Sequence, residues 1–187
     1  MKFLEKDKLE NKLGKIKFKK IGILGGTFDP AHLGHIAISK EAMKKFNLKS
    51  VIWAITNKNP FKKKSKNLLN DRIIFAKKIS SKDKFIKIKY FENLTKSNKT
   101  FDLISYYLNR NKNIKLYFLM GADCLINFHK WYKWRQIIAK CEIIVFDRFR
   151  YKSKSQKSIT FRKYNKKGLK FINFKRVNIS SSKLRKI

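Results

Sequence analysis

Short apolar runs alternate along the chain with longer helix-like segments. The runs Ile21–Leu24, Val51–Ile55, Phe85–Ile88, Lys115–Met120, Glu142–Phe146 and Lys170–Ile172 predict strands. The segments Leu33–Phe46, Leu69–Ile79, Phe101–Asn109 and Trp134–Ala139 predict helices, and a further helix begins near Ser181. Such alternation predicts an α/β fold with a mainly parallel sheet and helices on both faces. Ligands in such sheets bind at the carboxyl ends of the strands, near a switch in strand order. Residues 1–20 are charged and read as a basic tail, with Leu4, Leu9 and Leu13 as a weak helical stripe. Tyr151–Gly168 is rich in lysine and serine and reads as a helix with loops or as a mobile insertion. No internal repeat is present.

Composition adds bounds. A chain of 187 residues with 43% hydrophobic content supports one domain with a real core. No apolar stretch is long enough to span a bilayer, and the first twenty residues hold no run that could act as a signal segment. The cytoplasm is therefore expected. Cys124 and Cys141 form neither a disulfide framework nor a metal-type spacing and read as two reduced, partly buried thiols.

The formal charge of +36 is extreme. Basic surfaces neutralise phosphates, so a nucleic-acid partner is one reading. Lys outnumbers Arg by 40 to 8, however, and the lysines are spread over the whole chain. That distribution fits compositional drift better than a dedicated stripe, and no specific nucleic-acid partner is expected. On either reading the positive field attracts anionic nucleotides.

Candidate chemistry begins at Gly25-Gly26-Thr27-Phe28-Asp29-Pro30-Ala31-His32-Leu33-Gly34-His35. A strand, a glycine turn and a helix start are what a phosphate site needs. Glycines let the backbone approach a phosphate, and the helix N-terminus offers N–H donors and a positive dipole end. Two histidines add side-chain donors. Three further segments follow predicted strands: Thr56–Lys62, Gly121-Ala122-Asp123 and Asp147-Arg148. Their common placement predicts one shared cleft. The serines of Ile179-Ser180-Ser181-Ser182-Lys183-Leu184-Arg185 form a helix start, and Arg185 can fork onto phosphate oxygens.

The first of these runs resembles the signature of the nucleotidyltransferase superfamily with a His-x-x-His motif. In its longer form it is most similar to the bacterial nicotinate-nucleotide adenylyltransferases. The resemblance covers about residues 21–185 and implies a Rossmann-like nucleotidyltransferase fold over residues 21–187. It implies transfer of AMP from ATP to nicotinate mononucleotide, without a covalent enzyme intermediate. The products are deamido-NAD, a precursor of NAD, and pyrophosphate. Magnesium would arrive with ATP, held by phosphates and water, and no protein-bound metal is expected.

Residue by residue, the resemblance makes His35 and His32 the contacts to the transferring and neighbouring phosphates. Gly25, Gly26, Thr27 and Phe28 would form the backbone cradle. Ile179, Ser180, Ser181 and Arg185 match the family's Ile-Ser-Ser-Thr-x-x-Arg motif on the ATP phosphates, with Ser182 in place of Thr. Arg148 matches an Arg-Pro-Gly turn, although Phe149-Arg150 replaces Pro-Gly. Asp123 would contact ribose hydroxyls, and Trp131 and Tyr132 would lie beside the nicotinate ring. Asn57 and Lys62 match positions near the acceptor phosphate, where the family often has His for Lys62. Thr100 matches a residue that recognises the nicotinate carboxylate; Lys99 replaces the Tyr usual before it. Arg72 falls at a recurrent Arg that fits a structural ion pair or a ligand contact. Trp134 reads as core, and His129 as a surface or structural residue.

Two alternatives stay open on the residues alone. One is another adenylyl or cytidylyl transfer on the same fold, with nicotinamide mononucleotide or phosphopantetheine as acceptor. The other is a basic nucleic-acid-binding protein on this scaffold.

Overall fold

The computed structural model describes residues 18–59, 65–148 and 150–173. Six strands form one sheet: β1 (Lys19–Gly26), β2 (Ser50–Ile55), β3 (Ile86–Tyr90), β4 (Ile114–Gly121), β5 (Glu142–Phe146) and β6 (Leu169–Ile172). Their order is β3-β2-β1-β4-β5-β6, and every pair is parallel. All carboxyl ends therefore share one edge. The chain leaves β1 toward β2 on one side and returns as β4 on the other, so the switch in strand order lies between β1 and β4.

Both faces of the central strands are buried. Ile23, Phe118 and Ile143 point into one core, and Trp53, Leu119 and Ile144 into the other. The second core is covered by α1 (Leu33–Phe46) and α2 (Leu69–Ile79), through Ile36, Ala42 and Ala76. Short α3 (Glu92–Thr95) buries no residue, and the first core is covered by α4 (Thr100–Arg110), α5 (Ala122–Ile126) and α6 (Trp134–Lys140). Ile104, Leu125 and Ile137 are their fully buried contributions. Tyr151–Gly168 holds two short helices, α7 (Lys152–Gln156) and α8 (Ile159–Tyr164). Among the described residues no helix is long and apolar enough to cross a membrane.

Close packing at β1 explains one glycine. A Cβ on Gly22 would lie 2.9 Å from Leu48 Cδ1 and 3.3 Å from Leu119 Cδ1. The strand therefore sits tight against α1's trailing loop and its neighbour, which sets where its far end emerges.

Candidate active site

The turn after β1 is locked by packing. Phe28 adopts φ 47°, a left-handed conformation that costs a bulky residue energy. Its ring is 2% exposed and stacks on Trp53 at 5.0 Å. The His35 ring lies 4.6 Å away on a tilt. Burial of these rings holds the turn in a conformation that the backbone alone would leave.

The histidines build the start of α1. His32 is its N-cap: its Nδ1 accepts from the Gly34 N–H at 3.1 Å. His35 Nδ1 accepts from the His32 N–H at 3.1 Å. With Nδ1 an acceptor in both rings, the neutral imidazoles carry their protons on Nε2. The ring centroids are 3.8 Å apart. Each ring thus presents an N–H donor, and the two donors are fixed by the same backbone that forms the helix N-terminus. Behind them, the Trp53 indole donates to Ser39 Oγ at 2.8 Å, and Ser39 donates to the His35 carbonyl at 2.8 Å. This chain ties α1 to β2 through the buried interior.

Arg72 joins the carboxyl ends of β1 and β2. It is 2% exposed, and it donates to the carbonyls of Thr27 (2.6 Å), Thr56 (2.9 Å), Asn57 (3.3 Å) and Asn67 (3.2 Å). Burial lowers the guanidinium from its ordinary value, and Asp29 and Glu92 pull it back up. Arg72 is thus a clamp on backbone carbonyls. Asp29, 1% exposed, completes the clamp by accepting from the Lys66 N–H (2.8 Å) and the Asn67 side-chain amide (2.6 Å). Glu92 at the head of α3 accepts from the Thr56 hydroxyl and from the Asn57 N–H at 3.1 Å.

Between the ends of β1 and β2, the start of α4 and the segment 130–132 lies a cleft of about 320 Å³. Gly25 and Gly26 form its floor, and Thr56, Lys58 and Asn59 one rim. Lys99, Thr100, Trp131 and Tyr132 form the opposite side. Trp131 is braced edge-on by Phe118 at 6.1 Å and Phe128 at 5.1 Å. Tyr132 meets Phe101 edge-on at 6.0 Å and remains 47% exposed. At the end of β4, a Cβ on Gly121 would fall 2.6 Å from Asp123 Oδ1, so a side chain here would displace the Asp123 carboxylate. Asp123 accepts from Arg148 Nη1 at 2.8 Å, joining the loops after β4 and β5.

Of the residues singled out in the sequence, Gly25, Gly26, Thr100, Trp131 and Tyr132 line this one cleft. Thr27, Phe28, His32 and His35 sit together at the turn beside it. Asp123 and Arg148 pair with each other at the same carboxyl edge. Asn57 contributes its backbone to the Arg72 and Glu92 network, while its neighbours Lys58 and Asn59 line the cleft. Lys62, Ile179, Ser180, Ser181 and Arg185 lie outside the described residues. Trp134 is core, 9% exposed and packed on Phe128 and Tyr164. His129 is half-buried.

Sequence reasoning passed over Lys58, Lys130 and the buried Asp29, and it left Arg72 between an ion pair and a ligand contact where the structure makes it a clamp on backbone carbonyls. A lysine among forty carries no signal. Asp29 lay in view inside the glycine and histidine run.

Residues 23–187 match the cytidylyltransferase-like family. A protein of Pelagibacter ubique (strain HTCC1062), named a probable nicotinate-nucleotide adenylyltransferase, is 62% identical over 180 residues, spanning 96% of this chain and 99% of its own length. A Bradyrhizobium (strain ORS 278) protein with the same name is 38% identical over 130 residues, 69% of this chain and 67% of its own. The fold is shared with the Plasmodium falciparum nicotinic acid mononucleotide adenylyltransferase complexed with NaAD. That structure has a TM-score of 0.74 at 21% identity and covers 90% of this chain and 83% of its own.

Proposed function

The chain belongs to the nicotinate-nucleotide adenylyltransferases of the cytidylyltransferase-like family, and from that premise we propose how its cleft joins ATP to nicotinate mononucleotide. A 5′-phosphate oxygen of nicotinate mononucleotide attacks the α-phosphorus of ATP. A new P–O bond forms as the bond to the bridging oxygen breaks. Pyrophosphate leaves with the electron pair, and deamido-NAD remains. The chemistry needs positioning and charge stabilisation rather than a covalent intermediate.

In this reading the Gly25–Phe28 turn cradles the ATP phosphates with backbone N–H groups. The Nε2–H groups of His32 and His35 donate to phosphate oxygens as charge moves toward pyrophosphate. Ile179, Ser180, Ser181 and Arg185 complete the phosphate grip by their match to the family motif, and Arg148 adds a guanidinium from the loop after β5. On the acceptor side, Asn57 and Lys62 serve the attacking phosphate, and Asp123 serves ribose hydroxyls. Trp131 and Tyr132 hold the nicotinate ring, whose flat π-system suits an aromatic wall. Thr100 faces the ring's carboxylate. The rim supplies ammonium and amide groups, which suit phosphate oxygens rather than a metal ion. Magnesium therefore enters as part of the ATP substrate. Soluble nucleotide substrates place the work in the cytoplasm.

The observation that supports this best is the convergence of the Gly25-Gly26 turn, Thr100 and the Trp131-Tyr132 pair on one cleft at the carboxyl edge. The test is pyrophosphate release with ATP, magnesium and either nicotinate or nicotinamide mononucleotide. Release with the nicotinate form is expected, and His35→Ala lowers kcat on the order of 100-fold. An unchanged kcat in folded His35→Ala removes the histidine's role. Preference for the nicotinamide form overturns the acceptor.

A further inference from the structure

The acceptor side of the cleft carries a cation whose charge no carboxylate balances among the described residues. Lys99 lines both the main cleft and a side pocket of about 40 Å³ that opens beside it. Its ammonium lies 5.3 Å from the centre of the Tyr132 ring, which Lys133 approaches at 5.1 Å. Two carboxylates stand nearby, and both are occupied. Glu92, in the side pocket, accepts from Thr56 and from the Asn57 N–H. Asp102 accepts from the Ser97 hydroxyl at 2.6 Å. Among the described residues no carboxylate pairs with Lys99.

A π-face holds a flat ring without regard to its substituent. A cation held over the wall, as Lys99 is over Tyr132, reads the substituent's charge. It attracts a carboxylate and gains little from a carboxamide. We propose that Lys99 is a specificity-determining residue whose ammonium pairs with the ring carboxylate of nicotinate mononucleotide and so favours it over nicotinamide mononucleotide. The inference rests on the acceptor assigned above. The aromatic wall supplies affinity common to both nucleotides, and Lys99 supplies the difference. The main cleft, lined by both Lys99 and Thr100, is where the carboxylate meets the ammonium.

The test compares the chain with Lys99→Met and Lys99→Arg, measuring kcat and KM for both mononucleotides. Lys99→Met should lower kcat/KM for the nicotinate form about tenfold, or about 1.4 kcal/mol, mainly through KM. The nicotinamide form serves as the internal control for folding and catalysis, and its kcat/KM should stay within about twofold. Lys99→Arg should restore most of the preference. An equal fall for both nucleotides, or an unchanged ratio, overturns the inference while leaving the reaction in place. Failure of the unsubstituted chain to use the nicotinate form overturns the acceptor assignment and this inference together.

Discussion

Replacing Arg72 with Met tests whether the two loop ends of the cleft are held by one buried cation. Four carbonyls lose their donor. Asn57 and Asn67 are exposed, so water can replace their bonds. Thr27 and Thr56 are partly buried and hold the shortest bonds, at 2.6 and 2.9 Å. Leaving a buried acceptor unpaired costs about 1–3 kcal/mol. Met removes the desolvation of the guanidinium and fills part of its space, which offsets some of that loss. The net destabilisation is about 3 kcal/mol. For a chain of this length, Tm falls by about 6–12 °C. Urea unfolding followed by circular dichroism measures the first figure, and thermal scans the second. Because Thr27 and Thr56 flank the cleft, kcat should fall at least about tenfold at a temperature where the variant is folded. Arg72→Lys should be intermediate, since an ammonium has three donors but no planar fork. Destabilisation below about 0.5 kcal/mol with unchanged kcat would refute the clamp.

Other expectations follow from the same geometry. Ser39→Ala leaves the buried Trp53 indole N–H without its acceptor and should cost about 2 kcal/mol by urea unfolding; a change under about 0.5 kcal/mol would contradict it. Burial pushes the Cys141 thiol up to about 12, while Cys124 is only half-buried. Iodoacetamide at pH 8 should therefore label Cys124 first, read by mass spectrometry, and equal labelling of both in the folded chain would count against it. Above the ordinary thiol value of 9.0 the unfolded chain ionises at Cys141 while the folded chain does not. Stability should fall with a steeper slope between about pH 9 and 12 in the parent than in Cys141→Ala.

The central strands β1, β2, β4 and β5 were legible because a strand buried on both faces reads as a continuous apolar run, and the edge strands β3 and β6 because their apolar residues alternate with or flank exposed lysines. Helices α1, α2, α4 and α6 were legible in the same way, to within a residue or so. By contrast, α3 and α5 span four and five residues, too few for a helical period to appear. The glycine and histidine run was legible because its chemistry is local: the cap, the turn and both imidazoles lie within eleven consecutive residues. Arg72 was not, because its partners lie 5 to 45 positions away in sequence. An ion pair and a ligand contact both suited its residue type, and the carbonyls it holds are invisible in a sequence. Lys99 stood out only as a departure from a pattern; its closeness to Tyr132 belongs to the fold.

The stacked interior beneath the turn has an optical consequence. Trp53 is fully buried, and its ring centre lies 5.8 Å from that of His35. Trp131 is partly exposed at the cleft on the acceptor side. Indole emission shifts with polarity and is quenched by a neighbouring imidazole when that ring gains charge. One fluorophore therefore watches the triphosphate end from a dry, blue-emitting site, and another watches the pyridine end from a wetter one. Titrating each nucleotide alone and then both together would resolve the order of substrate arrival from native fluorescence, without a label or a coupling enzyme.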